Sequence, residues 1–267
     1  MAGHDDSIRN WEQWALVGTS EEYDRLLMME EAFDAFSIAH LERLGVAEGW
    51  RCLEAGAGAG SIAAWLAGRA GARNVVATDL RPEHLERPAK LGVRVLRHDV
   101  SLDPAPGGEF DLIHARAVLE HVTSRDDVVG RLAGWLAPGG WLLVEAVTIV
   151  PAVAARPLLR RAEEALVDLL ARTVGTDLTW ARRMPAVLER AGLTETSAEL
   201  SGPVLRGGSP LARATLATML AAGPGMIASG TITARDLDGL RAQYADPSLV
   251  DCSIFLVAGR GRRAASA

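Results

Sequence analysis

Lysine is almost missing from this chain of 267 residues: Lys90 is the only one, and basic side chains total 28 against 34 acidic, for a formal net charge of −6. The basic residues are scattered rather than gathered on one stripe. A nucleic-acid binder needs a basic face, so neither RNA nor DNA is an expected partner. Cysteine is equally scarce. Cys52 and Cys252 are expected to act as small core residues, not as a disulfide or a nucleophile. No uninterrupted run of 18 apolar residues occurs, so no membrane span is expected. The opening Met-Ala-Gly-His-Asp-Asp is too polar and acidic for a secretory signal, which points to a cytoplasmic protein. No His/Cys/Asp/Glu group has metal-ligand spacing, so no metal is expected. No nucleophile-elbow string supports hydrolase chemistry.

What is present is an apolar fraction of 49%, enough for one large domain or for a core with an elaborated cap. The most informative stretch is Arg-Cys-Leu-Glu-Ala-Gly-Ala-Gly-Ala-Gly at 51–60. A short strand pattern ends at Glu54, glycines follow at 56, 58 and 60, and an Ala-rich helix pattern starts at Ser61. Alternate glycines let the backbone turn sharply and approach a ligand, and the helix start behind them offers free N–H groups. The dinucleotide spacing G-x-G-x-x-G is not met, because the third glycine arrives one residue early. Glu54, two residues before the first glycine, would repel a diphosphate and suits a cofactor bearing an ammonium group. A nicotinamide-dependent oxidoreductase is therefore the weaker reading.

Two further strand patterns end in acids. Asn74–Asp79 places Asp79 at a strand tip, where a carboxylate can accept both hydroxyls of a ribose; the alternative is a helix N-cap. Val93–Leu96 runs into Asp99, which can accept from an adenine amino group or simply hold a turn. Strands starting near 51, 75, 93, 110 and 141 alternate with helices, so the fold class is α/β, a doubly wound, mostly parallel sheet covered on both faces.

Three acids at successive strand ends behind a Gly-x-Gly-x-Gly loop resemble the class I S-adenosylmethionine-dependent methyltransferases. The strand Phe110–His114 with Ala115–Val122, and the turn and strand Leu136–Glu145, resemble that family's later motifs. The resemblance is strong over roughly 40–150 and looser through Met184–Leu193 and Ser253–Val257. It implies a seven-stranded Rossmann-like sheet whose last strand is antiparallel, and S-adenosylmethionine as cofactor. The implied cofactor-binding residues are Glu54, Gly56, Ala57, Gly58, Gly60, Asp79, Leu80, Asp99, Val100, His114 and Ala115, with Tyr23 from a lid.

Residues 1–45 are expected to form this helical lid. A first apolar stripe at 8–16 contains Trp11 and Trp14. A second helix runs from Ser20 to Leu44, broken or kinked on the way, before Gly45. The cofactor-binding core spans 46–150. Residues 151–258 complete it, with a helix near 152–172 and a helical cap insertion near 208–246. In that insertion Gly223-Pro224-Gly225 is expected to break two helices, and Thr233 to cap the second with Asp236. Residues 259–267 are expected to be a loose tail. The cap and lid are expected to enclose a small, largely apolar acceptor, an oxygen, nitrogen or carbon nucleophile on a specialised metabolite; the same helices could instead make a homodimer. Trp11, Trp14, Arg116 and Glu145 are the candidate substrate contacts. His121, a residue type with a near-neutral pKa, is the candidate general base, and His40 and His84 are expected to lie far from the motifs. A protein of this fold can also use the sulfonium to catalyse a rearrangement or cyclisation, since fold does not fix reaction.

Overall fold

Short apolar runs ending in polar residues become the strands. In the computed structural model, which describes residues 20–265, β1 is Cys52–Ala55, β2 Val75–Asp79, β3 Arg94–Arg97, β4 Phe110–Arg116 and β5 Leu136–Ile149. These five are mutually parallel. β6 (Thr194–Ser201) and β9 (Ile254–Arg262) complete a seven-stranded sheet of order β3-β2-β1-β4-β5-β9-β6. β9 runs antiparallel to both of its neighbours. β7 (Leu205–Arg206) and β8 (Val250–Asp251) form a separate two-stranded ribbon. The expected doubly wound architecture is the one observed.

Eight α-helices are described: α1 Ser20–Leu44, α2 Ser61–Leu66, α3 Glu86–Lys90, α4 Arg125–Gly134, α5 Pro157–Thr173, α6 Met184–Arg190, α7 Pro210–Ala228 and α8 Ala234–Ala245. Side chains alternate across a strand, and the core divides accordingly. Cys52, Val75, Ala77, Leu112 and Leu143 pack with Leu41, Ile62 and Leu66 of α1 and α2 on one face. Leu53, Ala55, Ile113, Ala115 and Val144 pack with Val129, Leu132 and Met184 of α4 and α6 on the other. Each fully buried Leu or Ile stabilises by roughly 1.5–3 kcal/mol, which fixes which face of each strand points where.

A third apolar cluster lies beyond the sheet. The ends of β5 and β9 project past the shorter strands and carry Ile149, Ile254 and Leu256. Phe33 of α1, Leu159 and Leu166 of α5, Met219 of α7 and Leu240 of α8 close over them. α7 and α8 fall in the segment expected to form a cap. Among the described residues, α7 is the one helix long and apolar enough to cross a membrane; here it packs into this cluster.

Four expectations are corrected. α1 is unbroken over 25 residues and ends where expected, at Gly45 (φ 81°), with Val46 N–H reaching back to Leu41 O. The segment 223–225 does not break a helix, because α7 carries Pro224 inside it. A Cβ at Gly223 would meet Leu237 at 2.7 Å and one at Gly225 would meet Leu169 at 2.9 Å, so these glycines let neighbouring helices approach. The break falls after Ala228, and Thr233 and Asp236 form the expected reciprocal cap of α8. Residues 259–262 are not loose but belong to β9. Gly259 and Gly261 face Met184 and Leu193 at distances that leave no room for a Cβ, while Arg260 and Arg262 lie over Trp141. Finally, Cys52 is buried as expected, but Cys252 is exposed.

Candidate active site

The sheet order reverses between β1 and β4, and ligands of open α/β sheets bind at the strand ends beside such a switch point. A cavity of about 770 Å³ opens there. Its floor is the glycine loop. Gly56 and Gly58 adopt φ of 68° and 58°, a left-handed conformation costly to residues with a Cβ. Ala57 N–H donates to Thr78 O at 2.8 Å and Gly58 N–H to Asp79 Oδ2 at 2.9 Å, which ties the loop to β2. Ala117, at the end of β4, also has a positive φ (54°) and lines the cavity. It turns the chain so that Val118 covers Gly56.

Glu54, Gly56, Ala57, Gly58, Asp79, Leu80, Asp99, Val100, Arg116 and His121 all line this one cavity. Asp79 Oδ1 accepts from Arg81 N–H at 2.9 Å. Burial pushes its carboxyl above the usual carboxylate range, partly opposed by the Arg81 and Gly58 N–H donors. Asp99 Oδ1 accepts from Ser101 N–H and Oγ at 2.8 and 2.7 Å, so it holds a turn while lining the cavity. Arg116 pairs with Asp34 of α1 at 2.9 Å and donates to Ser37 Oγ at 3.0 Å.

Five expected residues lie elsewhere. Gly60 is a packing glycine, since a Cβ there would meet Pro88 at 2.8 Å. Tyr23 is 38% exposed and lies against the His84 ring, outside the cavity wall. Ala115 is buried in the core on the opposite sheet face. His114 and Glu145 are both fully enclosed. Glu145 does not end its strand, because β5 continues to Ile149. It faces α1, where Ser37 Oγ donates to Oε2 and His40 Nδ1 lies 2.5 Å from Oε1. His114 bridges Glu54 (Nδ1, 2.7 Å) and Glu145 (Nε2, 3.2 Å). Burial alone would lower its pKa, but the two carboxylates outweigh burial and raise it to about 9. Glu145 is held well below the usual range by His114 and His40 against its burial. This chain of buried charges runs from the glycine loop to α1 beneath the cavity. His40 therefore belongs to the site's support and His84 to its wall, contrary to expectation. Trp11 and Trp14 lie outside the described residues.

His121 is poorly matched to the role of base. Burial, with Arg25 and Arg125 nearby, lowers its pKa to about 3, and Nδ1 lies 3.0 Å from Thr176 Oγ1. Its neighbour Glu120 carries no local sequence signal for that role. Glu120 is 1% exposed and borders the cavity. Burial raises its carboxyl to about 7, against the pull of Val147 N–H and Arg125. Oε1 accepts from Val147 N–H at 2.8 Å, while Oε2 is enclosed with no hydrogen-bond partner. A near-neutral pKa is what general acid–base chemistry requires.

The opposite end of the cavity is apolar: Phe33, Leu166, Leu170, Leu178, Leu211 and Ile254. One cavity thus joins a nucleotide-type cradle to an oily chamber.

A family described as a methyltransferase domain matches residues 53–144. Methyltransferase str3 of Strobilurus tenacellus is 32% identical over 140 residues, covering 52% of this chain and 50% of its own length. Methyltransferase GfsG of Streptomyces halstedii is 31% identical over 175 residues, covering 62% and 60% respectively. The chain spans about half the length of the curated relatives it matches first. Among solved structures, the cyclopropane synthase MmaA2 of Mycobacterium tuberculosis aligns with 97% of this chain and 100% of its own, at a TM-score of 0.62 and 16% identity, a likeness of fold alone. The matched segment runs from β1 into β5 and contains the loop and acids that line the cavity, so over residues 53–144 the chain carries a methyltransferase domain whose cofactor is S-adenosylmethionine.

Proposed function

We propose that this chain transfers a methyl group to an oxygen, nitrogen or carbon atom of a small, largely apolar organic molecule. The observation that carries this reading is the shared cavity, with Glu54, Gly58, Asp79 and Asp99 at one end and Leu166, Leu170, Leu211 and Ile254 at the other. Its volume of about 770 Å³ falls in the range of small-molecule sites, roughly 300–1,000 Å³. The left-handed glycines fit the cofactor, because a backbone without Cβ atoms leaves room for it against the loop.

Bound S-adenosylmethionine supplies a methyl made electrophilic by its sulfonium. Asp79 and Asp99 would hold the ribose and adenine, and Glu54 would face the ammonium. The chain's main task is then positioning, holding an acceptor lone pair in line with the methyl. The apolar residues of α5 and α7 exclude water and orient the acceptor. Where the acceptor is an O–H or N–H group, Glu120 rather than His121 takes its proton.

The test is to incubate the purified chain with methyl-labelled S-adenosylmethionine and a panel of phenols, lipophilic acids and lactones. Labelled product and S-adenosylhomocysteine should appear together by mass spectrometry. An acceptor rearranged or cyclised with no release of S-adenosylhomocysteine would turn the reading toward another use of the cofactor. No calorimetric heat with either the donor or its demethylated product would end it.

A further inference from the structure

Resting on the methyltransferase reading, we propose that Arg25 anchors a carboxylate borne by the acceptor, so that the substrate class is a small apolar carboxylic acid. Arg25 lies on the cavity wall, on α1. Its Nε is enclosed without a hydrogen-bond partner, and its guanidinium makes no ion pair among the described residues. Burial disfavours its charge, opposed by Glu22, one turn earlier on the same helix. Arg25 as a whole is half-buried, and a partly desolvated guanidinium is stabilised when a ligand supplies its counter-ion.

The other guanidinium groups around the cavity are committed or exposed. Arg81 pairs with Glu83 at 2.8 Å and Arg116 with Asp34 at 2.9 Å. Arg125, beside His121, pairs with Asp177 at 3.3 Å and donates to Val122 O and Gly175 O. Arg97 is exposed. Helical spacing decides which end of the cavity Arg25 serves. Leu26, Glu30 and Asp34 form the stripe of α1 that touches the glycine loop and Ser61. Arg25, Met29 and Phe33, four residues apart, form the adjacent stripe, and Met29 and Phe33 pack in the cap cluster. Arg25 therefore belongs to the acceptor's end, close enough to His121 to disfavour that ring's protonation.

One uncommitted positive charge matches one negative charge. A phosphate ester brings about −1.5 to −2, and Glu22 and Glu120 on the same wall would oppose the excess. A carboxylate balances Arg25 and fits its planar fork with two parallel hydrogen bonds.

The experiment is calorimetry on the full chain saturated with S-adenosylhomocysteine, using octanoate, dodecanoate and 4-phenylbutanoate against their primary amides. In at least one pair the acid should bind about tenfold or more tightly than the amide. Arg25→Gln should bring that ratio to about one and Arg25→Lys should keep part of it, with affinity for S-adenosylhomocysteine little changed in both. No acid preferred over its amide, a preference that survives both substitutions, or a cofactor affinity that collapses with Arg25 would each overturn the assignment. The wild-type acid-to-amide ratio decides the matter even if a variant fails to fold. A wild-type chain that ignores S-adenosylhomocysteine overturns the methyltransferase reading itself, whereas one that binds it yet shows no acid preference overturns this inference alone.

Discussion

Two adjacent residues, Glu120 and His121, share the cavity wall, and their protonation is set by opposite consequences of the same burial. Low dielectric disfavours charge, so it raises the carboxyl and lowers the imidazole. Glu120 arrives near 7 and His121 near 3. Glu120→Gln should therefore cut turnover on an O–H acceptor by about 100-fold or more while leaving S-adenosylhomocysteine affinity unchanged. The wild-type rate should climb with pH and level off above about 7, as the carboxyl gives up its proton. His121→Ala should cost far less, and the reverse ranking in steady-state kinetics would restore the histidine as base. The glycine loop offers a second test. In Gly56→Ala the new Cβ would lie 2.2 Å from Val118 Cγ2, on a backbone at φ 68°. Val118→Ala relieves the clash but not the dihedral, which alone costs about 1–2 kcal/mol. Titration should show cofactor affinity weakened about tenfold or more in Gly56→Ala and only partly recovered in the double variant. Gly56, Asp79 and Asp99 were legible in the sequence because strand ends and glycine spacing are local signals. Glu120 was not, since nothing local announces that Val147 and Arg125 will surround it.

α1 is the element on which the site's geometry depends. Glu30 accepts Ser61 N–H at 2.7 Å and Asp34 accepts Ser61 Oγ at 2.8 Å, which fastens the helix across the start of α2. Deeper down, Ser37 and His40 grip Glu145, which His114 links to Glu54. Breaking a buried charge network by removing one member costs about 3–5 kcal/mol. Glu145→Ala should lower unfolding free energy by that order in denaturant titration. It should also speed hydrogen exchange in α1 at 34–41 more than in α4, which the network does not touch. Equal acceleration in both helices would mean general loosening rather than a lost fastening. The helix itself was readable from Glu21 and Glu22 in its first turn and from Gly45 at its end. Its continuity was not, because the Phe33 and Leu41 contacts that support it come from other layers. Gly259 and Gly261 were misread for the same reason: beside arginines they look flexible until Met184 and Leu193 occupy the space a Cβ would need.

Over the whole molecule, ionisable groups are buried both at the sheet end and in the apolar cap, and this makes stability depend on pH. Glu163 of α5 is enclosed in the cap, where Ser253 Oγ donates to Oε1 at 2.6 Å and Oε2 has no hydrogen-bond partner. Burial, helped by Asp251 and Glu164 and opposed by the Ser253 bond, raises its carboxyl from 4.5 to about 7. The folded state therefore holds this proton more tightly than the unfolded chain does. The resulting stabilisation is fully present below about 4.5 and is lost as pH rises to about 7. Glu120 loses a similar contribution over the same window, and His114 loses its own as pH rises from about 6.5 to about 9. Glu145 works the other way, its contribution being lost progressively as pH falls below 4.5. Wild-type melting temperature should accordingly decline from pH 5 to pH 9. In Glu163→Gln the amide can still accept from Ser253 but has no charge to desolvate. That variant should melt close to wild type at pH 5 and measurably above it at pH 8. Calorimetric scans giving the same difference at both values would show that Glu163 does not change protonation between them, against a carboxyl raised to about 7.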